Sequence, residues 1–133
     1  MALKISDDLA NAMLDAMETL IGTAAKFQVW SGTIPTDESA APGGTKLVEM
    51  TLPSDWLANA DAGVKSKAGT WSGTGLAAGT ATFFRLCTSA GTSKFQGSLT
   101  ATGGGGDATI DNTNIASGQT VTVTSFSVTA PHL

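Results

Sequence analysis

The second half of the chain alternates. From Thr80 to Thr100, and again from Thr120 to Thr129, small hydroxyl residues take turns with Phe, Leu and Val, and glycines stand at the corners. A period of two sends successive side chains to opposite faces of an extended backbone, so each such segment is a strand with one buried face. Many short strands must pair their edges, which confines the chain to sheets, sandwiches and barrels.

The first half adds strands of the same kind. Ala25–Ser31 alternates cleanly, Lys46–Leu52 is closed by Pro53, and Val64–Ser72 carries Trp71. Ser54–Asn59 is a short helical turn or an irregular corner anchored by Trp56, and 73–79 is a turn-rich joint. Residues 80–88 and 93–100 form a hairpin in which Gly91 takes the positive φ. In the last strand Val121 and Val123 face one way, Phe126 and Val128 the other, which requires a bulge near Thr124–Ser125 or burial of both faces. Roughly seven or eight strands at about ten-residue spacing predict a mainly β chain. The expected fold is an antiparallel β-sandwich or jelly-roll-like barrel, one domain over 1–133 with a β portion at 25–130 and one N-terminal α-helix.

The helix is predicted over 7–21. Ser6 caps it, Asp7 and Asp8 suit its positive end, and Gly22 stops it. Leu9, Met13, Met17 (or Ala16), Leu20 and Ile21 recur at helical spacing and are expected to dock on the domain's own sheet or on a neighbour, with the first preferred. Asn11, Asp15, Glu18 and Thr19 are left for solvent. The other predicted core residues are Phe27, Val29, Leu47, Met50, Leu52, Trp56, Trp71, Phe83 or Phe84, Leu86, Leu99, Ile110, Ile115, Val121, Val123, Phe126 and Val128.

Charge is scarce. Only 14% of the 133 residues are charged, the net charge is −4, and the seven Lys and Arg are scattered. No basic stripe exists to neutralise a phosphate backbone, so no nucleic-acid partner is expected. Lys65 and Lys67 are assigned to solvent. No apolar run is long enough to cross a membrane, so none is expected as a partner, and the acidic N-terminus does not resemble a signal peptide. Cys87, the single cysteine, is assigned to the core.

Titratable constellations are weak. Catalysis by Ser, His and Asp would need His132, beside the C-terminus, so no enzymatic activity and no catalytic residues are expected. Asp107 and Asp111 bracket a strand near Asn112 but match no calcium loop, and no metal or cofactor is expected. Trp30, Trp56 and Trp71 could form a sugar-stacking platform or serve as core and subunit anchors, and the second reading is preferred.

The candidate contact residues lie in two loops. Residues 32–45 hold Gly32, Thr33, Ile34, Pro35, Pro42, Gly43 and Gly44, without periodicity. Gly103, Gly104, Gly105 and Gly106 follow one another, with no Gly-Lys-Ser/Thr to make a phosphate loop. Both loops have little apolar content to hold them and are expected to be mobile contact arms.

Five segments span nearly the whole chain: Ala2-Leu-Lys-Ile-Ser-Asp-Asp-Leu through Gly22, Val29-Trp-Ser-Gly-Thr-Ile-Pro35, Leu52-Pro-Ser-Asp-Trp56, Gly69-Thr-Trp-Ser-Gly73 and Ile115-Ala-Ser-Gly-Gln through Phe126. They resemble a family of small virion proteins of tailed bacteriophages and prophages. The resemblance implies a viral structural protein made in the host cytoplasm and located on the capsid surface of the virion. It fits best a capsid decoration or cement protein that binds the outer head shell and bridges subunits of its partner, the major capsid protein. Such a protein is expected to be a homo-oligomer, with a dimer preferred. A tail or baseplate component and a carbohydrate-binding module or adhesin are the alternatives.

Overall fold

The computed structural model describes residues 4–130. His132 lies outside them. The chain is mainly β, with one helix, α1 (Asp7–Ile21), followed by ten strands. These are β1 (Lys26–Trp30), β2 (Lys46–Thr51), β3 (Val64–Ser66), β4 (Ser72–Thr74), β5 (Gly79–Thr80), β6 (Phe83–Cys87), β7 (Ser93–Ala101), β8 (Ala108–Ile110), β9 (Asn114–Ile115) and β10 (Thr120–Thr129).

The main sheet runs β2-β1-β6-β7-β8-β10-β3, with β4 also on β10, and β5 pairs separately with β9. The sheet curls until its ends meet. Val48 of β2 bridges Gly75, just past β4, and Leu76 N donates to Leu47 O at 2.7 Å. Gly73 is required at this seam, because a Cβ there would lie 2.9 Å from Met50 Cγ.

The predicted hairpin is present. Phe83 opposes Ser98, Gly91 has φ +87°, and Thr88 N donates to Thr92 O. The bulge in β10 falls at Thr124, between the Val123–Ile110 and Ser125–Thr109 pairs. The antiparallel pattern has one exception. β7 and β8 run parallel, joined only by residues 102–107. Parallel neighbours ordinarily need about a dozen connecting residues. The four glycines permit the short return in two alternating ways. Gly103 and Gly105 supply positive φ, while a Cβ on Gly104 or Gly106 would strike Thr100.

Phe27, Trp71, Phe84 and Phe126 fill the curl, with Phe27 stacked on Phe84 at 4.9 Å and Trp71 5.5 Å from Phe126. Trp56 packs on Trp71 at 5.9 Å and donates from Nε1 to Gly22 O, tying the irregular corner 54–59 to the end of the helix. Val128 is only half-buried.

Of the predicted docking stripe, Ile21 and Met17 pack on the core, but Leu9, Met13 and Leu20 turn outward. Ala10, Leu14 and Ile21 are buried, whereas Leu9, Met13 and Leu20 are 49%, 52% and 70% exposed. The reason lies in the segment beneath the helix. Residues 57–63 form only isolated bridges, at Leu57 and Asp61, and the N–H groups of Leu57, Ala60 and Gly63 need acceptors from elsewhere. The helix supplies them in antiparallel order. Glu18 accepts from Leu57 N, Asp15 from Ala60 N and Asn11 from Gly63 N, at 3.2, 3.1 and 2.9 Å. Three of the residues assigned to solvent, Asn11, Asp15 and Glu18, are thus the docking face, and Thr19 is exposed.

Lys65 completes that face, and its side chain is 1% exposed rather than solvated. Its Nζ reaches Asp15 Oδ1 at 2.6 Å, Glu18 Oε1 at 3.1 Å and Ala58 O at 3.0 Å. Burial, the largest single influence on Lys65, pulls its pKa down, but the hydrogen bonds and charges of Asp15 and Glu18 outweigh it and the net shift is upward. Asp15 is held below the usual aspartate value by its hydrogen bonds from Lys65 and Ala60 N.

Candidate functional site

The exposed face of α1 carries Leu9, Met13, Ala16 and Leu20, all solvent-exposed. Their spacing of four, three and four residues aligns them along one side of a helix, the spacing of a coiled-coil seam. The residues beside this seam are Ala10, Ala12, Met17 and Thr19, so no charge interrupts it. The acids of the helix body, Asp15 and Glu18, are turned toward the domain. The result is an apolar stripe on the outside of a helix anchored by its polar side.

The loop 32–45 has a different character. It lies over the outer face of the sheet, where Trp30 stacks on Phe83 at 6.3 Å and Arg85 lies opposite Gln28 and Gln96. Its neck is closed by Ser31 N donating to Thr45 O at 3.0 Å and Thr45 N donating to Ser31 Oγ at 3.0 Å. Gly44 sits so close to Ser31 that a Cβ would fall 1.9 Å from its carbonyl oxygen. Gly32 O accepts from Thr82 Oγ1, Pro35 O from Gln96 Nε2 at 2.8 Å, and Ala40 O from the Arg85 guanidinium. Thr33, Ile34 and Gly43 are exposed, and Pro42 is half-buried.

Within the loop, Asp37 folds an Asx turn. Its Oδ1 accepts from Ser39 Oγ, Ser39 N and Ala40 N. These bonds, the Ser39 hydroxyl first, hold its carboxyl below the usual range, with a smaller contribution from Arg85.

The glycine run meets the same strand. Gly106 N donates to Thr100 Oγ1 at 3.0 Å, and Asp107 Oδ2 accepts from Ser98 N at 2.9 Å. Gln96, Ser98 and Thr100 alternate with Phe95, Gly97 and Leu99 and so share one face of β7. The structure therefore brings both predicted contact loops to the outer face of one strand. Gly103, Gly104 and Gly105 are exposed there, and Gly106 is half-buried.

Other candidates resolve into structural roles. Asp107 caps β7, and Asp111 Oδ1 accepts from Thr122 N at 3.2 Å, so the two carboxylates hold different strands. No group of three or more His, Cys, Asp or Glu converges among the described residues. Trp56 and Trp71 are fully buried, which leaves only Trp30 partly open to a ligand. Cys87 is buried, and burial pushes its thiol pKa up. No described helix is long and apolar enough to cross a membrane. Sequence reasoning did not single out Arg85, which joins the loop to the sheet. The signal was present in the alternation Phe84-Arg85-Leu86, which sends a guanidinium to the face opposite the aromatic core.

The chain matches no family model, no curated protein and no solved structure.

Proposed function

We propose that this is a bacteriophage virion structural protein, a capsid decoration or cement protein that binds the outer head shell and bridges major capsid subunits. The observation that carries the reading is the uncharged stripe Leu9–Met13–Ala16–Leu20, exposed on a helix whose polar side is anchored. Large apolar side chains held in register on a surface are characteristic of a protein-binding face. The class of partner is what the resemblance of the five segments to small phage virion proteins implies. Three large side chains do not fill the roughly 800 Å² per partner of a stable isolated interface. Attachment then draws on many copies around a closed shell. Cementing follows if the protein binds the mature lattice more tightly than separated subunits.

Quantitative mass spectrometry of purified virions tests this. The protein should be present at a copy number comparable to the major capsid protein, and Leu20→Glu should remove it from heads. A few copies per particle, or recovery only with tails, would overturn the reading.

A further inference from the structure

Two cations are buried in this protein, and they are neutralised differently. Lys65 touches two carboxylates. Arg85, 5% exposed, has no carboxylate within ion-pair distance among the described residues. Its guanidinium donates to the carbonyls of Asp37 and Ala40 and to Gln96 Oε1, all neutral acceptors, and its Nε makes no hydrogen bond. A buried charge without a counter-charge is costly. Asp37 in the loop has its Oδ1 engaged in the Asx turn.

A second unpartnered group lies beside it. Ser93 Oγ is buried and also makes no hydrogen bond. Both residues line a single cleft of 440 Å³, together with Glu38, Ser39 and Lys94. That volume falls within the range of small-ligand sites. Each of these two residues on one cleft holds a buried donor without a partner, which points to a ligand with acceptor oxygens that the side chains meet by turning toward the cleft.

We propose that this cleft binds a carboxylate, with Arg85 as its charge partner, Ser93 as a hydroxyl donor and Lys94 at the rim. The charge at the site selects the class. Arg85 and Lys94 are offset by Glu38 at the cleft and by Asp37 beside it, whose carboxyl Arg85 helps hold ionised, so a single carboxylate adds less repulsion than a dianion. A phosphate dianion would leave an excess of negative charge beside Glu38 in a protein already at −4. The planar fork of a guanidinium also matches carboxylate geometry. The carboxylate belongs either to a free small acid or to an acidic side chain of another protein, and the chemistry at the cleft is the same.

Calorimetric titration at fixed ionic strength separates these sources and tests the site. The probes are acetate, a glutamate blocked at both its amino and α-carboxyl groups, and inorganic phosphate. Saturable binding of a carboxylate in preference to phosphate is expected. Ser93→Ala should weaken it by about three- to tenfold, the effect of one hydrogen bond to a charged group. Lys94→Glu, which makes the net charge at the cleft negative, should abolish it. Arg85→Met also releases the loop, so the Ser93 and Lys94 variants, checked for unchanged thermal melts, carry the test. Tighter binding of blocked glutamate than of acetate assigns the site to a protein side chain, and the reverse assigns it to a free acid. The proposal is overturned if phosphate binds as well as either carboxylate, if no carboxylate saturates, or if both the Ser93 and Lys94 variants bind like the parent.

Discussion

The two faces of α1 invert the usual arrangement of an amphipathic helix. Toward the domain it presents Asn11, Asp15 and Glu18, each bound to a backbone N–H, around the buried Lys65. Toward solvent it presents Leu9, Met13 and Leu20. Burial of apolar area stabilises most surface helices. Here the apolar contacts, Ala10 and Leu14 against Ala130 and Met17 and Ile21 against the main core, are supplemented by polar groups that satisfy an irregular corner. A helix face is chosen by what the neighbouring segment lacks, and here the N–H groups of Leu57, Ala60 and Gly63 take their acceptors from the helix.

The largest effect should come from stripping Lys65 of both partners. Removing the partners of a buried charge costs about 3–5 kcal/mol. Because the Asp15 side chain is half-exposed, the Asp15→Asn/Glu18→Gln double variant should lose stability near the low end of that range, about 3 kcal/mol, in urea melts. Adding Lys65→Met should restore most of it, since the uncompensated charge is then gone. A double variant as stable as the parent would break the comparison.

Leu14→Ala removes the main apolar anchor of the same face. The site is peripheral, so a loss of about 2 kcal/mol is expected, the lower bound for buried Leu→Ala changes.

The pH dependence sharpens the assignment at smaller cost. Asp15 has a folded pKa below its unfolded value of about 3.9. Its contribution is therefore complete above that value and lost as pH falls through the lower, folded one. Lys65 is shifted up from 10.5, so its contribution is complete below that value and lost as pH rises beyond it. Thermal melts against pH should show a plateau between these limits, and Asp15→Asn should flatten the acid limb.

The smallest stability effect belongs to the outer face. Leu20→Glu places a charge at a position 70% exposed and should change stability by less than about 0.5 kcal/mol, while abolishing head binding.

The β portion was legible in the sequence because strands state their buried face by alternation. Phe27 and Val29, and Val121 and Val123, lie where period two sends them, and Gly91 marks its turn. The helix bounds were legible too, because Ser6 and Gly22 are local signals. Which side of the helix docks was not, because that depends on the unpaired N–H groups of 57, 60 and 63, which no periodicity records. Lys65 was misassigned for the same reason, its two carboxylates lying 50 and 47 positions earlier in the chain. Of the candidate site, Gly32–Gly44 and Gly103–Gly106 stood out through composition. Their attachment to one strand depends on Arg85, Gln96 and Thr100, whose roles appear only once β6 and β7 are paired.

The orientation of α1 underlies the proposed contact surface, and thiol labelling tests it most directly. Cys87 is buried and gives a quiet background. In dilute native protein, Leu20→Cys should react with a thiol reagent about as fast as an unfolded control. Leu14→Cys, on the docked face, should react at least about a hundredfold more slowly, since it must wait for local opening. Labelling of Leu14→Cys as fast as Leu20→Cys, or faster, would contradict the account.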